Sequence, residues 1–126
     1  MQRQLSDISV EMAKKLMGEV EFKDRIIGTK MSGAGGNNRV SMYSLQEAAE
    51  FLYSDSVDKL MQMGKSTIAQ IDIQQLIKWI ADVYEDQELA NAITEDTATT
   101  DIYVEKIKIA KTLIEERINQ CEEVLK

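Results

Sequence analysis

Apolar positions recur at the three- and four-residue spacing of an α-helix along most of the chain. The most regular stretch follows Asp72, which can cap a helix N-terminus with Gln75 as its partner. Its apolar positions are Ile73, Leu76, Ile77, Ile80, Ala81 and Tyr84. This spacing predicts an amphipathic helix that turns these side chains towards a core.

Further helices are expected wherever an N-cap residue precedes apolar residues at the same spacing. The expected starts are Ser6 or Asp7, Ser44, Ser56 and Asp86. The first of these helices should continue, kinked or broken near Gly18, as far as Gly28. Ser44 and Glu47 form a capping box, in which each side chain accepts a hydrogen bond from a backbone amide.

The last helix should run from about Asp101 towards Lys126 and span about 37 Å. Its apolar positions are Tyr103, Ile107, Ala110, Ile114, Ile118, Cys121 and Leu125. An apolar face of this length has to be covered, either by the shorter helices or by a second copy of the chain in a homodimer. The predicted fold class is all-α: a compact multihelical bundle of five to seven helices around the long C-terminal helix, in a single domain over residues 1–126.

Two segments depart from the helical pattern. Residues 28–38, GTKMSGAGGNN, hold four glycines and predict a flexible Gly-rich loop. Residues 68–73, IAQIDI, alternate as a short strand would, but one strand has no partner in an all-α chain. A helical or irregular connector is therefore the favoured interpretation of residues 68–73.

Composition removes most catalytic chemistry. The chain of 126 residues is 44% hydrophobic and contains one cysteine, no proline and no histidine. Structural zinc, a di-iron bundle and histidine-based nucleophile dyads all need residues that are missing. We therefore predict that the protein is not an enzyme and has no catalytic, cofactor-binding or metal site. An enzyme using only carboxylates, lysine and tyrosine is the least favoured class.

The N-terminus lacks the apolar segment of a signal peptide, and no apolar run is long enough to span a membrane. The lone Cys121 is consistent with a reducing compartment, so a cytoplasmic location is expected. Cys121 falls on the inner stripe of the last helix, which predicts a buried and unreactive thiol.

The net charge of −7 is unevenly distributed. Residues 44–101 hold twelve acidic and three basic side chains, whereas residues 102–126 hold five of each. An acidic stretch of this kind repels nucleic acid and anionic lipid. We expect no nucleic-acid binding, and the acidic middle region is the candidate face for a protein partner with a basic face.

Two glycine motifs and several acidic pairs have weaker functional interpretations. Residues 64–67, GKST, match the end of a phosphate-binding loop, but Lys59 stands where its first glycine should be, so a polar turn is favoured. Residues 33–36, GAGG, could form an anion-binding nest, although a flexible loop is favoured there. Acidic neighbours such as Glu85 and Asp86 are expected on solvated faces.

Residues 43–65, YSLQEAAEFLYSDSVDKLMQMGK, resemble the helix-turn-helix of excisionase and MerR-type DNA-binding domains. The resemblance covers 23 of 126 residues and implies a recognition helix from Ser56 to Met63. That helix would present Asp58 with Lys59, where a DNA-reading helix needs basic or amide side chains. A helical-hairpin packing motif is favoured, with a transcriptional regulator as the alternative.

The whole chain resembles a small family of archaeal proteins of unknown biochemical function, encoded with the energy-converting hydrogenase A of methanogens. The resemblance depends on size, helical order, acidic balance and segments such as MAKKLMGEVEFKDRIIG (residues 12–28) and LIKWIADVYED (residues 76–86). It implies an all-helical accessory protein beside a membrane complex and supplies no catalytic or metal-binding residue. The predicted function is a non-enzymatic accessory or interaction protein of a larger assembly.

Overall fold

The computed structural model describes residues 5–32, 36–52 and 67–126. Most of its helices start after a residue whose side chain caps the first turn. The helices are α1 (Val10–Met17), a 3-10 turn (Phe22–Asp24), α2 (Leu45–Phe51), α3 (Ile73–Val83), α4 (Gln87–Thr97) and α5 (Tyr103–Val124). The strands are β1 (Ile26–Ser32), β2 (Gly36–Met42) and β3 (Thr67–Gln70).

The predicted caps at Ser44, Asp72 and Asp86 are confirmed, because each side chain accepts from an amide in the first turn of its helix. The expected start of the first helix at Ser6 or Asp7 is wrong. Ser9 caps α1 instead, through a 3.1 Å hydrogen bond from the Met12 amide. Residues 5–9 precede α1 outside any helix or strand, and the Ser6 backbone is bound by Glu88 and Arg117.

The long C-terminal helix lies at the centre of the helical part, as the apolar spacing predicts. α5 packs against α1, α2 and α4. Its buried residues are Ile107, Ala110, Leu113, Ile114, Arg117, Ile118 and Cys121. The apolar stripe is thus covered within the chain over this length, and the homodimer stays a prediction.

A small sheet corrects the all-α prediction, although the protein is mostly helical. β1 pairs with β2 from Ile26 opposite Met42 to Ser32 opposite Gly36, and β3 pairs with the other side of β1. All pairings are antiparallel. The loop predicted at residues 28–38 is therefore a β-hairpin in its described part, and residues 68–70 of the predicted connector lie in β3.

Burial of α3 differs in part from its predicted stripe. Leu76, Ile80 and Tyr84 are buried as expected, whereas Ile73 and Ile77 are only half-buried. Trp79, which the stripe omitted, is 7% exposed. The buried apolar residues of the described segments form one hydrophobic core.

The described helices include none that is both long and apolar enough to cross a lipid bilayer.

Candidate functional site

Several motifs singled out in the sequence fall outside the described residues. Gly64 to Ser66 of the phosphate-loop match lie outside them, and Thr67 begins β3. The first three residues of the proposed anion nest are also outside, and Gly36 begins β2. The expected recognition helix from Ser56 to Met63 is outside as well, so the helix-turn-helix hypothesis is tested only as far as α2.

The described half of the helix-turn-helix match is a short amphipathic helix with a modified capping box. The Ser44 hydroxyl accepts from the Glu47 amide at 3.1 Å. The Glu47 carboxylate accepts from the Tyr43 amide, one residue earlier than in a standard capping box. Leu45, Ala48 and the other apolar residues of α2 are buried against α5, as the packing interpretation requires.

One buried arginine, which the sequence analysis did not identify, binds two carboxylates of the acidic stretch. Arg117 of α5 is 1% exposed. Its Nε donates to Asp86 Oδ2 at 2.9 Å and its Nη2 to Glu88 Oε1 at 2.7 Å. Its Nη1 donates to the Ser6 carbonyl and to Gln120 Oε1, both at 2.8 Å. Every guanidinium nitrogen is therefore satisfied, and the network ties the N-terminal segment to α4 and α5.

This network changes the interpretation of the acidic middle region. Asp86 is buried and cannot meet a partner, and Glu88, although 43% exposed, is engaged by Arg117 and by the Ser6 amide. Hydrogen bonds from Ser6 and Arg117 hold the pKa of Glu88 below its ordinary value, despite partial desolvation. The expectation that both Glu85 and Asp86 lie on solvated faces is wrong for Asp86, which is buried, while Glu85 is exposed and pairs with Lys15.

Cys121 lies beside this network with no exposed surface. Burial raises the pKa of its thiol, and nearby Arg117 only partly opposes this effect. The prediction of a buried thiol is confirmed. Among the residues described, no three His, Cys, Asp or Glu side chains are grouped closely enough to hold a metal ion.

A shallow acidic groove of about 230 Å³ lies between α2 and α5, and we call it the α2/α5 groove. Its floor is the side chains of Ala49 and Ile118. Its other lining residues are Gln46, Glu50, Lys111, Glu115, Asn119 and Glu122. On α5 these positions are spaced by three or four residues, so they share one helix face.

The charges of the α2/α5 groove are unbalanced. The Lys111 ammonium donates to the Ala49 carbonyl at 2.7 Å, near the C-terminal end of α2. In the described segments, Glu50, Glu115 and Glu122 form no ion pair. Three exposed carboxylates therefore surround an apolar floor, beside a single ammonium group that is already engaged.

A second groove, of about 430 Å³, lies between α3 and the start of β1, and we call it the α3/β1 groove. One face of α3 forms one wall, and the other wall is the backbone and side chains of residues 25–27. Its lining residues are Arg25, Ile26, Ile27, Gln75, Lys78, Trp79, Asp82 and Val83. It is more apolar than the α2/α5 groove and combines tryptophan with arginine, the residue types that dominate binding energy at protein interfaces.

Hydrogen bonds fix the aromatic residues of the α3/β1 groove. The Trp79 indole nitrogen donates to the Asp24 carbonyl at 2.7 Å, and its ring meets Tyr84 edge-on at a centroid distance of 5.1 Å. The Tyr84 hydroxyl donates to the Gly18 carbonyl at 3.2 Å. The Trp79 ring is thus fixed as one wall of the groove, and its indole nitrogen already donates a hydrogen bond to the protein backbone.

Sequence reasoning could have found Arg117, because it stands three residues after Ile114 and four before Cys121, within the buried stripe of α5. A basic residue at such a position requires a buried acidic partner. The α3/β1 groove gave no comparable signal, because it depends on a strand that the sequence analysis assigned to a helix end and a loop.

Comparison with protein-family models, with curated proteins and with solved structures finds no match to this chain.

Proposed function

We propose that the protein is a non-enzymatic interaction protein that binds a basic segment of a protein partner in the α2/α5 groove. The observation that carries the proposal is a set of three exposed carboxylates around an apolar floor that form no ion pair within the described part of the chain, namely Glu50, Glu115 and Glu122. Charges of one sign steer a partner of opposite sign and fix its orientation, while Ala49 and Ile118 add a small apolar contact.

The same arrangement favours a helix or extended segment with a lysine or arginine over the floor. Such a side chain lays its apolar stem on Ile118 and Ala49 and keeps its charge among the glutamates. The carbonyls at the C-terminal end of α2 add partial negative charge next to Ala49, where Lys111 already donates one hydrogen bond. A larger assembly, such as the hydrogenase complex implied by the family resemblance, is the proposed setting, in the cytoplasm.

Affinity purification from the native source tests this function. Tagged wild type should retain a stoichiometric partner with a basic segment, and the variant Glu50→Gln/Glu115→Gln/Glu122→Gln should lose it. A matched control, Glu11→Gln/Glu19→Gln/Asp101→Asn, removes the same charge from exposed positions outside the groove and should retain the partner. Equal retention by all three proteins would refute the role of the groove.

A helix-turn-helix regulator is the alternative proposal. It rests on the sequence of residues 43–65, and no feature of the described residues favours it over the interaction protein. An anisotropy titration with duplex DNA separates the two. Salt-dependent binding tighter than micromolar would support the regulator, and no binding is expected of the interaction protein.

A further inference from the structure

A short segment ahead of α1 is held to the helical core by side chains of other elements, and we call residues 5–8 the N-terminal strap. These residues belong to no helix or strand. The Glu88 carboxylate of α4 accepts from the Ser6 amide with both oxygens, at 3.1 and 3.2 Å. Arg117 of α5 donates to the Ser6 carbonyl at 2.8 Å. The backbone of one strap residue is therefore bound by two helices at once.

The rest of the strap is attached by one buried side chain and few hydrogen bonds. Leu5 is 5% exposed, and its carbonyl accepts from the Gln120 side chain at 2.9 Å. Asp7 is exposed and Ile8 is half-buried. Within the described part of the chain, the backbones of Asp7 and Ile8 form no hydrogen bond. A segment attached in this way opens at a lower free energy than a packed helix.

The helices that bind the strap are joined to each other without it. Arg117 Nε donates to Asp86 Oδ2 at 2.9 Å, and its Nη2 lies 3.3 Å from Asp86 Oδ1. Asp86 also accepts from the Leu89 amide at the start of α4. None of these hydrogen bonds involves the strap. Its departure therefore leaves the buried ion pair intact and no buried charge unpaired, which removes the largest electrostatic penalty for opening.

The strap lies over the turn of α5 that carries Cys121. The two α5 residues that bind the strap are Arg117, one helical turn before Cys121, and Gln120, directly before it. Cys121 has no exposed surface and belongs to the same apolar cluster as Leu5. Departure of the strap therefore uncovers the part of α5 in which the thiol lies.

We propose that the N-terminal strap is a conformational device that opens as a unit, independently of the helical core, and that its opening exposes the Cys121 thiol. In the closed state, α4 and α5 bind the strap backbone and the thiol is covered. In the open state, the strap has turned away about Asp7 and Ile8, while the ion pair between α4 and α5 persists. The strap thus sets the accessibility of the thiol in the folded protein. The proposal does not depend on the function proposed for the α2/α5 groove.

The reaction of Cys121 with Ellman's reagent tests the proposal, since this residue is the only cysteine of the chain. The rate is measured at several urea concentrations below the unfolding transition. We expect it to be nearly independent of urea there, because opening of four residues exposes little surface. It should rise steeply only where the whole chain unfolds.

Variants assign the reaction to the strap. Ser6→Pro removes the amide that Glu88 binds and should raise the native rate about tenfold, the effect of losing a hydrogen bond to a charged group. Gln120→Ala removes the donor to the Leu5 carbonyl and should raise the rate about fivefold. The urea transition of each variant shows whether it is folded, and Gln120→Ala carries the test if Ser6→Pro is not. Gln74→Ala, which truncates an exposed amide on α3, should leave the rate unchanged.

Three results would overturn the proposal. The first is a wild-type rate that increases with urea in parallel with the unfolded population, which would mean that the thiol reacts only after global unfolding. The second is a native rate that neither strap variant changes, which would assign the exposure to fraying of α5 near Val124, its last residue. The third is an equal increase in Gln74→Ala, which would show that any small loss of stability has the same effect.

Discussion

Replacement of Arg117 by methionine should destabilise the protein by about 3–5 kcal/mol, the usual cost of removing one partner of a buried ion pair. Methionine has similar length and can fill the volume, so the loss comes mainly from the groups left behind. Asp86, whose side chain is 4% exposed, would keep only the hydrogen bond from the Leu89 amide. The Gln120 side-chain oxygen would also lose its donor, and the Ser6 carbonyl would keep only the 3.4 Å hydrogen bond from Gln120 Nε2.

The assay is urea unfolding followed by circular dichroism at neutral pH, with a thermal melt in parallel. For a chain of this length, the expected loss corresponds to a fall in melting temperature of roughly 10–20 °C. Lys108→Met, which removes an exposed cation from the same helix, should stay within about 0.5 kcal/mol of wild type.

A double variant separates charge from packing. Asp86→Asn keeps a side chain that can cap α4 but removes the buried charge. Combined with Arg117→Met, it should recover about half of the lost stability, since no unpaired charge remains. The reasoning is refuted if Arg117→Met costs less than about 1 kcal/mol, or if the double variant is no more stable than Arg117→Met alone.

Three further predictions concern the same part of the fold. The pKa of Glu88 is lower in the folded than in the unfolded chain, so its ionised side chain stabilises the fold at neutral pH, and this stabilisation is lost as the pH falls below about 4.5. The difference in free energy of unfolding between wild type and Glu88→Gln should therefore close on acidification. A difference that stays constant down to about pH 3 would contradict this. Because burial raises the pKa of Cys121, Ellman's reagent should react slowly with the native protein and rapidly in denaturant, whereas rapid native reaction would show an accessible thiol. Truncation after Ile109 removes most of the buried face of α5 and should abolish cooperative unfolding, and an unchanged melt would exclude α5 as the organiser of the fold.

Local signals predicted the helices well. Side-chain caps at Ser44, Asp72 and Asp86 act within three residues of their partners, so a sequence shows them directly. The spacing of α5 predicted the buried stripe from Ile107 to Cys121 because a helix of 22 residues repeats the pattern several times, whereas Leu125 at the end of the predicted stripe is exposed. The helix start predicted at Ser6 is wrong because the backbone groups of Ser6 are bound by Arg117 and Glu88, more than eighty positions away in the sequence.

The sheet could not be predicted by the same means. β1 and β2 contain glycines and asparagines, and their described burial alternates only from Ile26 to Thr29. β3 is four residues long and pairs with a strand that lies 35 or more positions earlier. Strand pairing of this kind depends on non-local contacts, which spacing along the chain does not reveal.

The candidate sites also show this difference between local signals, which the sequence reveals, and contacts between distant residues, which it does not. The acidic balance of residues 44–101 predicted a surface for a basic partner in that stretch, but only Glu50 of the three groove glutamates belongs to it, and Glu115 and Glu122 come from the charge-balanced C-terminal stretch. The balance could not show that Asp86 and Glu88 are bound internally, since their cation comes from a distant helix. Arg25 and Trp79 belong to one groove only because β1 passes beside α3, and that depends on the sheet.

Site-specific photocrosslinking tests the central claim, partner binding in the α2/α5 groove, most directly. A benzoylphenylalanine is placed at Asn119, inside the groove, or at Lys14 on α1, outside it, and each protein is irradiated in extract from the native source. We expect one discrete crosslinked protein at Asn119, attached through a basic segment, absent at Lys14 and lost when Glu50, Glu115 and Glu122 are changed to glutamine. An identical crosslink at both positions, or one that survives loss of the three carboxylates, would contradict the claim.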